Sequence, residues 1–105
     1  MTLEELINRL KELPPDLRMD GLRNPHSYRG YYCELAFERD NKKYVSEVLE
    51  EALRCVNQVF EGYRGGDYTM YMDTPVWIAN YSCTGIKIAN ILDNGTIETK
   101  EDTYD

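Results

Sequence analysis

The sequence predicts a single α+β domain in which two helices pack on one face of an antiparallel sheet of about four to five strands. Three observations favour this class. A chain of 105 residues is long enough for one modest core. Two segments carry apolar residues at helical spacing, and the C-terminal half alternates short apolar runs with turn residues. We place the domain at residues 1–98 and expect residues 99–105 to form an acidic, flexible tail.

The first helix is predicted to begin just after Thr2. Thr2 and Glu5 have the spacing of a capping box, in which a hydroxyl and a carboxylate satisfy free backbone amides at the helix start. Pro14 and Pro15 end the helix, because proline lacks the amide hydrogen that a further turn needs. The apolar stripe between these signals consists of Leu3, Leu6, Ile7, Leu10 and Leu13.

The segment between the two helices is predicted to contain a long loop and one strand. Residues 16–27 have a loop composition, and long loops in small domains are often functional. Residues 31–38 alternate as a strand whose apolar face buries Cys33. Residues 39–43 are charged and polar, so we predict a turn there.

The second helix has the clearest periodic pattern in the chain. Ser46 is its predicted N-cap and Gly62 its predicted end. Glu50 and Arg54 lie four residues apart on its polar side, at the spacing of a helical ion pair. The apolar stripe consists of Val45, Val48, Leu49, Ala52, Leu53, Val56 and Phe60, with Cys55 at its edge.

Further strands are predicted after the second helix, where residues typical of strands replace the helical pattern. Residues 82–85 have a turn composition, and Asp93-Asn94-Gly95 predicts a tight hairpin turn. The sheet face away from the helices is left open, and small domains often close such a face by forming a homo-oligomer. The predicted strands are residues 68–72, 75–81, 86–92 and 96–98.

The composition argues against several classes of protein. A net charge of −7 is opposite in sign to the charge of domains that bind bulk nucleic acid. No apolar run approaches the roughly 20 residues that cross a bilayer, and the N-terminus lacks the pattern of a signal peptide. We therefore expect a cytoplasmic protein that binds neither bulk nucleic acid nor membranes.

The cysteines favour reduced thiols. Cys33, Cys55 and Cys83 are an odd number, without a CxxC pair. A zinc site made of these three thiols and His26 is the one thiol-rich option, and their spacing does not favour it. We expect no metal and no cofactor.

Two stretches with Tyr-Arg-Gly at their centres are the candidate ligand-binding site, and together they hold five of the nine tyrosines. Glycine lets the backbone approach a ligand, arginine offers a planar fork of five donors, and tyrosine supplies a flat face. This combination suits a ligand that is both planar and anionic, such as a nucleotide. The candidate residues are His26, Ser27, Tyr28, Arg29, Tyr31 and Tyr32 in the first stretch, and Tyr63, Arg64, Gly65, Gly66, Asp67, Tyr68 and Thr69 in the second.

Arg29 and Arg64, with their flanking tyrosines, are predicted to clamp an anion between stacking faces. The second stretch is predicted to follow a helix C-terminus, where the dipole repels anions. Any phosphate there must be held by the arginine and by free turn amides. An alternative interpretation assigns the tyrosines to the rim of the core and the arginines to surface ion pairs.

No catalytic residue is predicted. His26 is the only histidine and Ser27 is its neighbour, but a triad needs a third group, and no nucleophile signature is present. Asp67 and Asp73 are a candidate carboxylate pair, yet neither has a neighbouring histidine or a recognised metal spacing. These features favour a protein that binds a ligand over one that turns over a substrate.

The same stretches give the chain a resemblance to a set of small proteins encoded by bacteriophages and prophages. The likeness covers most of the chain in order. The departures are Arg64, where lysine is usual, and Ser82, in a region where glycine is common. Neither removes the Tyr-Arg-Gly pattern. The resembling segments are residues 2–7, 25–32, 35–38, 60–70 and 74–79.

No activity is established for that set, so the resemblance implies a biological role and no particular chemistry. The implied role is that of a phage accessory protein that acts against host defence in the host cytoplasm. Our leading hypothesis is a non-enzymatic sponge that sequesters a nucleotide-derived anionic signal. One alternative is a protein–protein inhibitor of a host defence or CRISPR component, with tyrosine and arginine as interface anchors. Another is a small hydrolase of signal nucleotides that uses His26 with an acid.

Overall fold

Two helices and seven strands make up the part of the chain that the computed structural model describes, which is residues 1–28, 33–62, 65–79 and 85–100. Among these residues, no helix is long and apolar enough to cross a membrane. The elements in chain order are α1 (Leu3–Glu12), β1 (Arg18–Ser27), β2 (Leu35–Tyr44), α2 (Val45–Cys55), β3 (Val59–Glu61), β4 (Asp67–Thr69), β5 (Val76–Ala79), β6 (Gly85–Ile91) and β7 (Ile97–Lys100).

The main sheet has five strands in the order β1-β2-β5-β6-β7, and β3 pairs with β4 in a separate hairpin. The predicted α+β class is confirmed, with its two helices and five-stranded sheet. The prediction of a purely antiparallel sheet is wrong, because β2 and β5 run parallel, with Ala36 beside Trp77. The chain between them includes α2, and parallel neighbours require such a crossover connection.

The two helices pack against each other and against one face of the sheet, which we call the inner face. The predicted capping box is confirmed, since the Glu5 amide donates to Thr2 Oγ1 at 3.2 Å and the Thr2 amide donates to Glu5 Oε1 at 2.9 Å. The helices and the inner face share one continuous apolar core. Its most completely buried side chains include Leu3, Leu6, Ile7, Leu10, Leu35, Phe37, Ile78, Ile88 and Ile91.

The predicted ends of the second helix are wrong at both termini. Tyr44, not Ser46, is its N-cap, and the Tyr44 amide donates to Glu47 Oε1 at 3.1 Å. The helix ends at Cys55, and Asn57 then takes a left-handed backbone with a φ of 61°. Asparagine tolerates this conformation, so it can reverse the chain where a glycine was expected. Gly62 instead follows β3.

The polar and apolar sides of α2 otherwise match those predicted from the spacing of its apolar residues. Glu50 and Arg54 form the predicted ion pair, with 2.5 Å between Oε1 and the guanidinium. Cys55 is buried in the core. Its burial, together with the nearby carboxylate of Glu51, raises the pKa of the Cys55 thiol to about 12.

The predicted loop at 16–27 is wrong, because residues 18–27 form the edge strand β1. Its Asn and Pro residues occupy a bulge between Arg23 and His26, where a proline does not interrupt the ladder. Gly21 lies where a Cβ would collide with the carbonyl oxygen of Asn41 on β2. The residues that are typical of loops are therefore part of an edge strand, where they form a bulge and allow a close approach to β2.

Strand β2 lies further along the chain than predicted. It begins at Leu35 and continues through residues 39–43, which were predicted to form a turn. Cys33 precedes the strand and is exposed, so the prediction that it is buried is wrong. Charged residues continue the strand because its C-terminal half pairs with the edge strand β1, where solvent reaches them.

The C-terminal strands agree more closely with the sequence. The predicted strand at 86–92 corresponds to β6, and the turn at 93–95 joins it to β7. The strands predicted at 68–72 and 75–81 are shorter, and residues 80–84 lie outside the described residues. β7 extends to Lys100, into the segment expected to be a tail, and residues 101–105 are not described.

The two edge strands of the main sheet meet at one end. The Asp20 amide donates to the Gly95 carbonyl at 2.9 Å, and the Ile97 amide donates to Asp20 Oδ2 at 2.9 Å. Gly95 has a φ of 89°, and a Cβ there would lie 2.5 Å from the Arg18 carbonyl oxygen. The hydrogen bond from the Ile97 amide holds the pKa of Asp20 below its usual value, with a smaller contribution from Lys42.

Replacing Asp20 with asparagine is expected to lower the free energy of unfolding at neutral pH by about 1–2 kcal/mol, because a charge-assisted hydrogen bond is lost. The folded-state pKa is depressed, so this stabilisation is present above the unfolded-state pKa and is lost as pH falls through the folded-state pKa. Urea denaturation at neutral and acidic pH measures the difference. The exposed Asp16→Asn variant is the control, and an equal pH response of the two variants would contradict the assignment.

Candidate functional site

The face of the main sheet that turns away from the helices, the outer face, carries a row of side chains in register across all five strands. Directly paired residues point to the same side of a sheet. Ala36 and Trp77 belong to a small cluster that is separate from the main core, so the row lies on the outer face. It consists of His26, Ala36, Trp77, Lys87 and Lys100.

An aromatic stack forms the centre of this face. The rings of Tyr28 and Trp77 lie 4.2 Å apart between centroids and are parallel within 9°. The indole Nε1 of Trp77 donates to Glu34 Oε1 at 2.9 Å, and the Tyr28 amide donates to the Glu34 carbonyl at 2.8 Å. Only 5% of Tyr28 and 6% of Trp77 is exposed. The two rings are therefore held together as one rigid wall.

Gly85, at the start of β6, makes room for this stack. A Cβ on Gly85 would lie 2.6 Å from Cε1 of Tyr28 and 3.0 Å from the carbonyl oxygen of Ile78. Tyr28 therefore reaches from the end of β1 across the outer face to β6. Glycine is needed here because a ring lies directly on the backbone.

Replacing Gly85 with alanine is expected to displace the Tyr28 ring and to lower the free energy of unfolding by about 1–3 kcal/mol, the usual cost of overpacking. Near-ultraviolet circular dichroism should show a weaker signal from the aromatic stack. A double-mutant cycle with Tyr28→Leu is the control. The cost of Gly85→Ala should fall when the ring is absent, and an unchanged cost would show that Tyr28 is not the group displaced.

Two lysines continue the row beyond the stack. Nζ of Lys87 lies 5.2 Å from the centroid of the Trp77 ring, within the range of a cation–π interaction. Lys87 is directly opposite Lys100 on β7, which is exposed.

The carboxylates nearest the aromatic stack already have partners. Glu34 accepts the Trp77 indole hydrogen. Glu38 accepts a hydrogen bond from the side-chain amide of Asn24, and one of its oxygens is 3.9 Å from the guanidinium of Arg23. On the β6–β7 side, exposed Glu98 is two residues from Lys100 on the same strand, so this side of the outer face carries charges of both signs.

The structure separates His26 from Ser27. Nδ1 of His26 lies 2.7 Å from the Asn24 carbonyl oxygen, which can only accept, so Nδ1 carries the hydrogen and Nε2 is the acceptor of the neutral ring. Ser27 is paired with Leu35, whose side chain lies in the main core, and is 1% exposed. Successive strand residues point to opposite faces, so this pair does not form a nucleophile and its base.

The described residues of the second Tyr-Arg-Gly stretch lie in the β3–β4 hairpin, with Gly65 and Gly66 between the strands and residues 67–69 in β4, so the predicted position directly after a helix is wrong. The Gly65 amide donates to the Gly62 carbonyl at 2.8 Å, and the Gly62 amide donates to the Gly66 carbonyl at 3.0 Å. Gly65 and Gly66 have φ values of 93° and 88°. The turn itself requires both glycines, whether or not a ligand approaches them.

The residues after these glycines have different environments. Asp67 is exposed, whereas Tyr68 is half-buried against the main core, and its hydroxyl lies 3.4 Å from the Gly65 carbonyl oxygen. Cys33 Sγ donates to the Thr69 carbonyl at 3.3 Å. Cys33 directly follows the first Tyr-Arg-Gly stretch, so the structure brings the flanks of the two stretches together.

Five of the predicted binding residues lie outside the described residues, and their roles stay predictions. They are Arg29, Tyr31, Tyr32, Tyr63 and Arg64.

The sequence reasoning missed the outer-face row. Trp77, Lys87 and Lys100 lie on three separate strands. Residues 86–92 alternate between apolar and polar, and this alternation could have assigned Lys87 to the polar face of its strand. Only the pairing of the strands shows that Lys87 lies between Trp77 and Lys100.

Among the described residues, no group of three or more histidine, cysteine and acidic side chains is arranged to hold a metal ion. Comparisons with protein-family models, curated proteins and solved structures found no significant match to this chain.

Proposed function

We propose that the protein binds and sequesters a small nucleotide-derived anion at the outer face of its sheet. The observation that supports this most is the row of Trp77, Lys87 and Lys100, in which Lys87 lies over the indole ring and Lys100 is its direct neighbour on β7. Phosphate oxygens would lie over the two lysines. The base or ribose would lie on the exposed side chains around the aromatic stack, since the two rings themselves are almost completely buried.

The two predicted arginines extend this site in the proposal. Arg29 follows Tyr28 directly in the chain, and Arg64 precedes the hairpin glycines. The contact between Cys33 and Thr69 brings the flanks of their two stretches together. We assign both guanidinium groups to the phosphates, because an arginine fork matches phosphate oxygens in two parallel hydrogen bonds.

The biological role that fits such a protein is that of a sponge. The resemblance to small phage proteins suggests action in the host cytoplasm, against a defence system that signals through a nucleotide. A net charge of −7 keeps the domain from competing for bulk nucleic acid. Sequestration requires binding but no catalysed reaction. A site made of lysine side chains beside an aromatic stack agrees with this requirement.

Calorimetric titration with cyclic dinucleotides, cyclic oligoadenylates and cyclic ADP-ribose isomers tests the proposal. We expect saturable binding of at least one of them, weakened at least about tenfold by Lys87→Ala, Lys100→Ala or Arg29→Ala, which corresponds to one lost phosphate contact. Lys11→Ala, an exposed lysine on α1, is the matched control and should leave the affinity unchanged. Absence of saturable binding, or affinity indifferent to all three substitutions, would refute the assignment.

Mass measurement of the ligand released on heating separates capture from cleavage. A sponge returns the ligand unaltered, whereas a hydrolase that uses His26 returns a product. Recovery of a cleaved ligand, lost in a His26→Ala variant, would replace sequestration with hydrolysis.

One observation favours a second function, inhibition of a host protein. Tyr71 and Met72 are adjacent and are 52% and 37% exposed. Tyrosine is enriched among the residues that dominate protein interfaces. Co-purification of a host defence protein without nucleotide, abolished by Tyr71→Ala, would support this function.

A further inference from the structure

The turn between β6 and β7 contains the only Asn-Gly pair in the chain, Asn94-Gly95. An asparagine side chain can cyclise when the amide nitrogen of the next residue attacks its Cγ, and glycine in that position has no side chain to hinder the attack. The nitrogen loses its proton and bonds to Cγ, the side-chain NH2 group leaves as ammonia, and a five-membered succinimide forms. Water then opens the ring at either carbonyl and gives aspartate or isoaspartate, so water is the only other reactant.

The folded chain already polarises the group that would be attacked. Asn94 is exposed, and its Oδ1 accepts a hydrogen bond from the Thr96 amide at 3.0 Å. Negative charge develops on this oxygen as the ring closes, and a donor that points at such an oxygen stabilises the transition state. The hydrogen bond from Thr96 therefore activates Cγ of Asn94 toward attack.

The attacking nitrogen, by contrast, is not free to react while the turn is closed. Gly95 is buried, and its amide donates to the Leu92 carbonyl at 2.9 Å. This hydrogen bond must break before the nitrogen can lose its proton and approach Cγ of Asn94. The Gly95 carbonyl in turn accepts from the Asp20 amide, and the Ile97 amide donates to Asp20 Oδ2. The contact between β1 and β7 at Asp20 therefore holds the turn closed.

We propose that Asn94 is a self-modification site whose conversion is controlled by the contact between β1 and β7 at Asp20. Isoaspartate, the product that lengthens the main chain by one methylene group, does not fit a turn closed by the hydrogen bond from the Leu92 amide to the Thr96 carbonyl at 2.9 Å. The Gly95 carbonyl then moves away from Asp20, and the contact cannot form again. A transient separation of the two edge strands becomes permanent, whether or not a ligand binds the outer face.

Peptide mapping by mass spectrometry, during incubation at mildly alkaline pH, measures the conversion of Asn94. We expect conversion to be slow in the folded wild type, about fivefold to thirtyfold faster in Asp20→Asn, which weakens the contact, and fastest in the wild type unfolded in urea. The exposed Asp16→Asn variant is the matched control and should convert at the wild-type rate. Asn94→Gln should not convert, because its longer side chain would have to close a six-membered ring.

Hydrogen exchange of the purified isoaspartate form tests the structural consequence. The amides of Asp20 and Ile97 should exchange at least about tenfold faster than in the unmodified chain, whereas the Leu6 amide, bonded within α1, should keep its rate. Equal conversion of Asn94 in the folded and unfolded wild type would overturn the proposal, as would an Asp20→Asn variant that converts at the wild-type rate. Unchanged exchange of the Asp20 and Ile97 amides would also contradict it, since the strands would then stay in contact.

Discussion

Replacing Trp77 with alanine is expected to lower the free energy of unfolding by about 3–5 kcal/mol and to abolish binding of the proposed ligand. The indole is 6% exposed, is stacked on Tyr28 and donates its hydrogen to Glu34. Its removal opens a cavity beneath Tyr28 and leaves the Glu34 carboxylate without that donor. The loss is a large share of the roughly 5–15 kcal/mol that stabilises a small domain.

Urea denaturation followed by far-ultraviolet circular dichroism measures this loss, because it does not rely on the removed chromophore. Trp77→Phe is the control, since it keeps an aromatic face for Tyr28 but removes the donor to Glu34. We expect an intermediate loss for this variant and retention of weak binding. A Trp77→Ala variant as stable as the wild type would show that the outer-face stack does not contribute to folding.

Replacing Leu6 with alanine is expected to lower the free energy of unfolding by about 3–4 kcal/mol, within the range for buried leucines. Leu6 has no exposed surface and lies at the middle of the core-facing side of α1. α1 packs against both α2 and β6, so a cavity here has rigid walls that cannot collapse.

The control for this variant is Asn8→Ala, at an exposed position of the same helix. Alanine is a better helix former than asparagine, so the control should be unchanged or slightly more stable. Chemical denaturation at a single pH compares the two. Equal midpoints for Leu6→Ala and the wild type would contradict the burial of this face of α1.

The elements that the sequence predicted well are those with complete local signals. Thr2 and Glu5 form the cap of α1, and the pair of prolines follows its end. The turn at 93–95 joins β6 to β7 where the Asn-Gly pair predicted a hairpin. In each case, residues that are neighbours in the chain determine the structure by themselves.

Other elements depend on contacts between distant residues. β1 has a loop composition, and its pairing with β2 overrides that composition through a bulge and a close approach at Gly21. The α2 pattern continued to Phe60, yet Asn57 reverses the chain first and Phe60 pairs with Tyr68 instead. Strand pairing of this kind has no signature in a single sequence.

The candidate site likewise combines residues that local sequence could indicate with residues that only strand pairing brings together. The first Tyr-Arg-Gly stretch correctly drew attention to Tyr28, which lies in the aromatic stack. By contrast, Ser27 is buried, and the two hairpin glycines are required by the turn that they form. Trp77 and Lys87 could not be joined to Tyr28 from the sequence, because the parallel pairing of β2 and β5 was unknown.

Fluorescence titration of Trp77 is the sharpest test of ligand binding at the outer face, since it is the only tryptophan in the chain. We expect a saturable change in its emission with a nucleotide ligand, at the midpoint given by calorimetry and shifted to higher concentration in Lys87→Ala. N-acetyltryptophanamide corrects for absorption by the nucleotide. A ligand that binds by calorimetry while Trp77 emission stays constant would place the site elsewhere on the molecule.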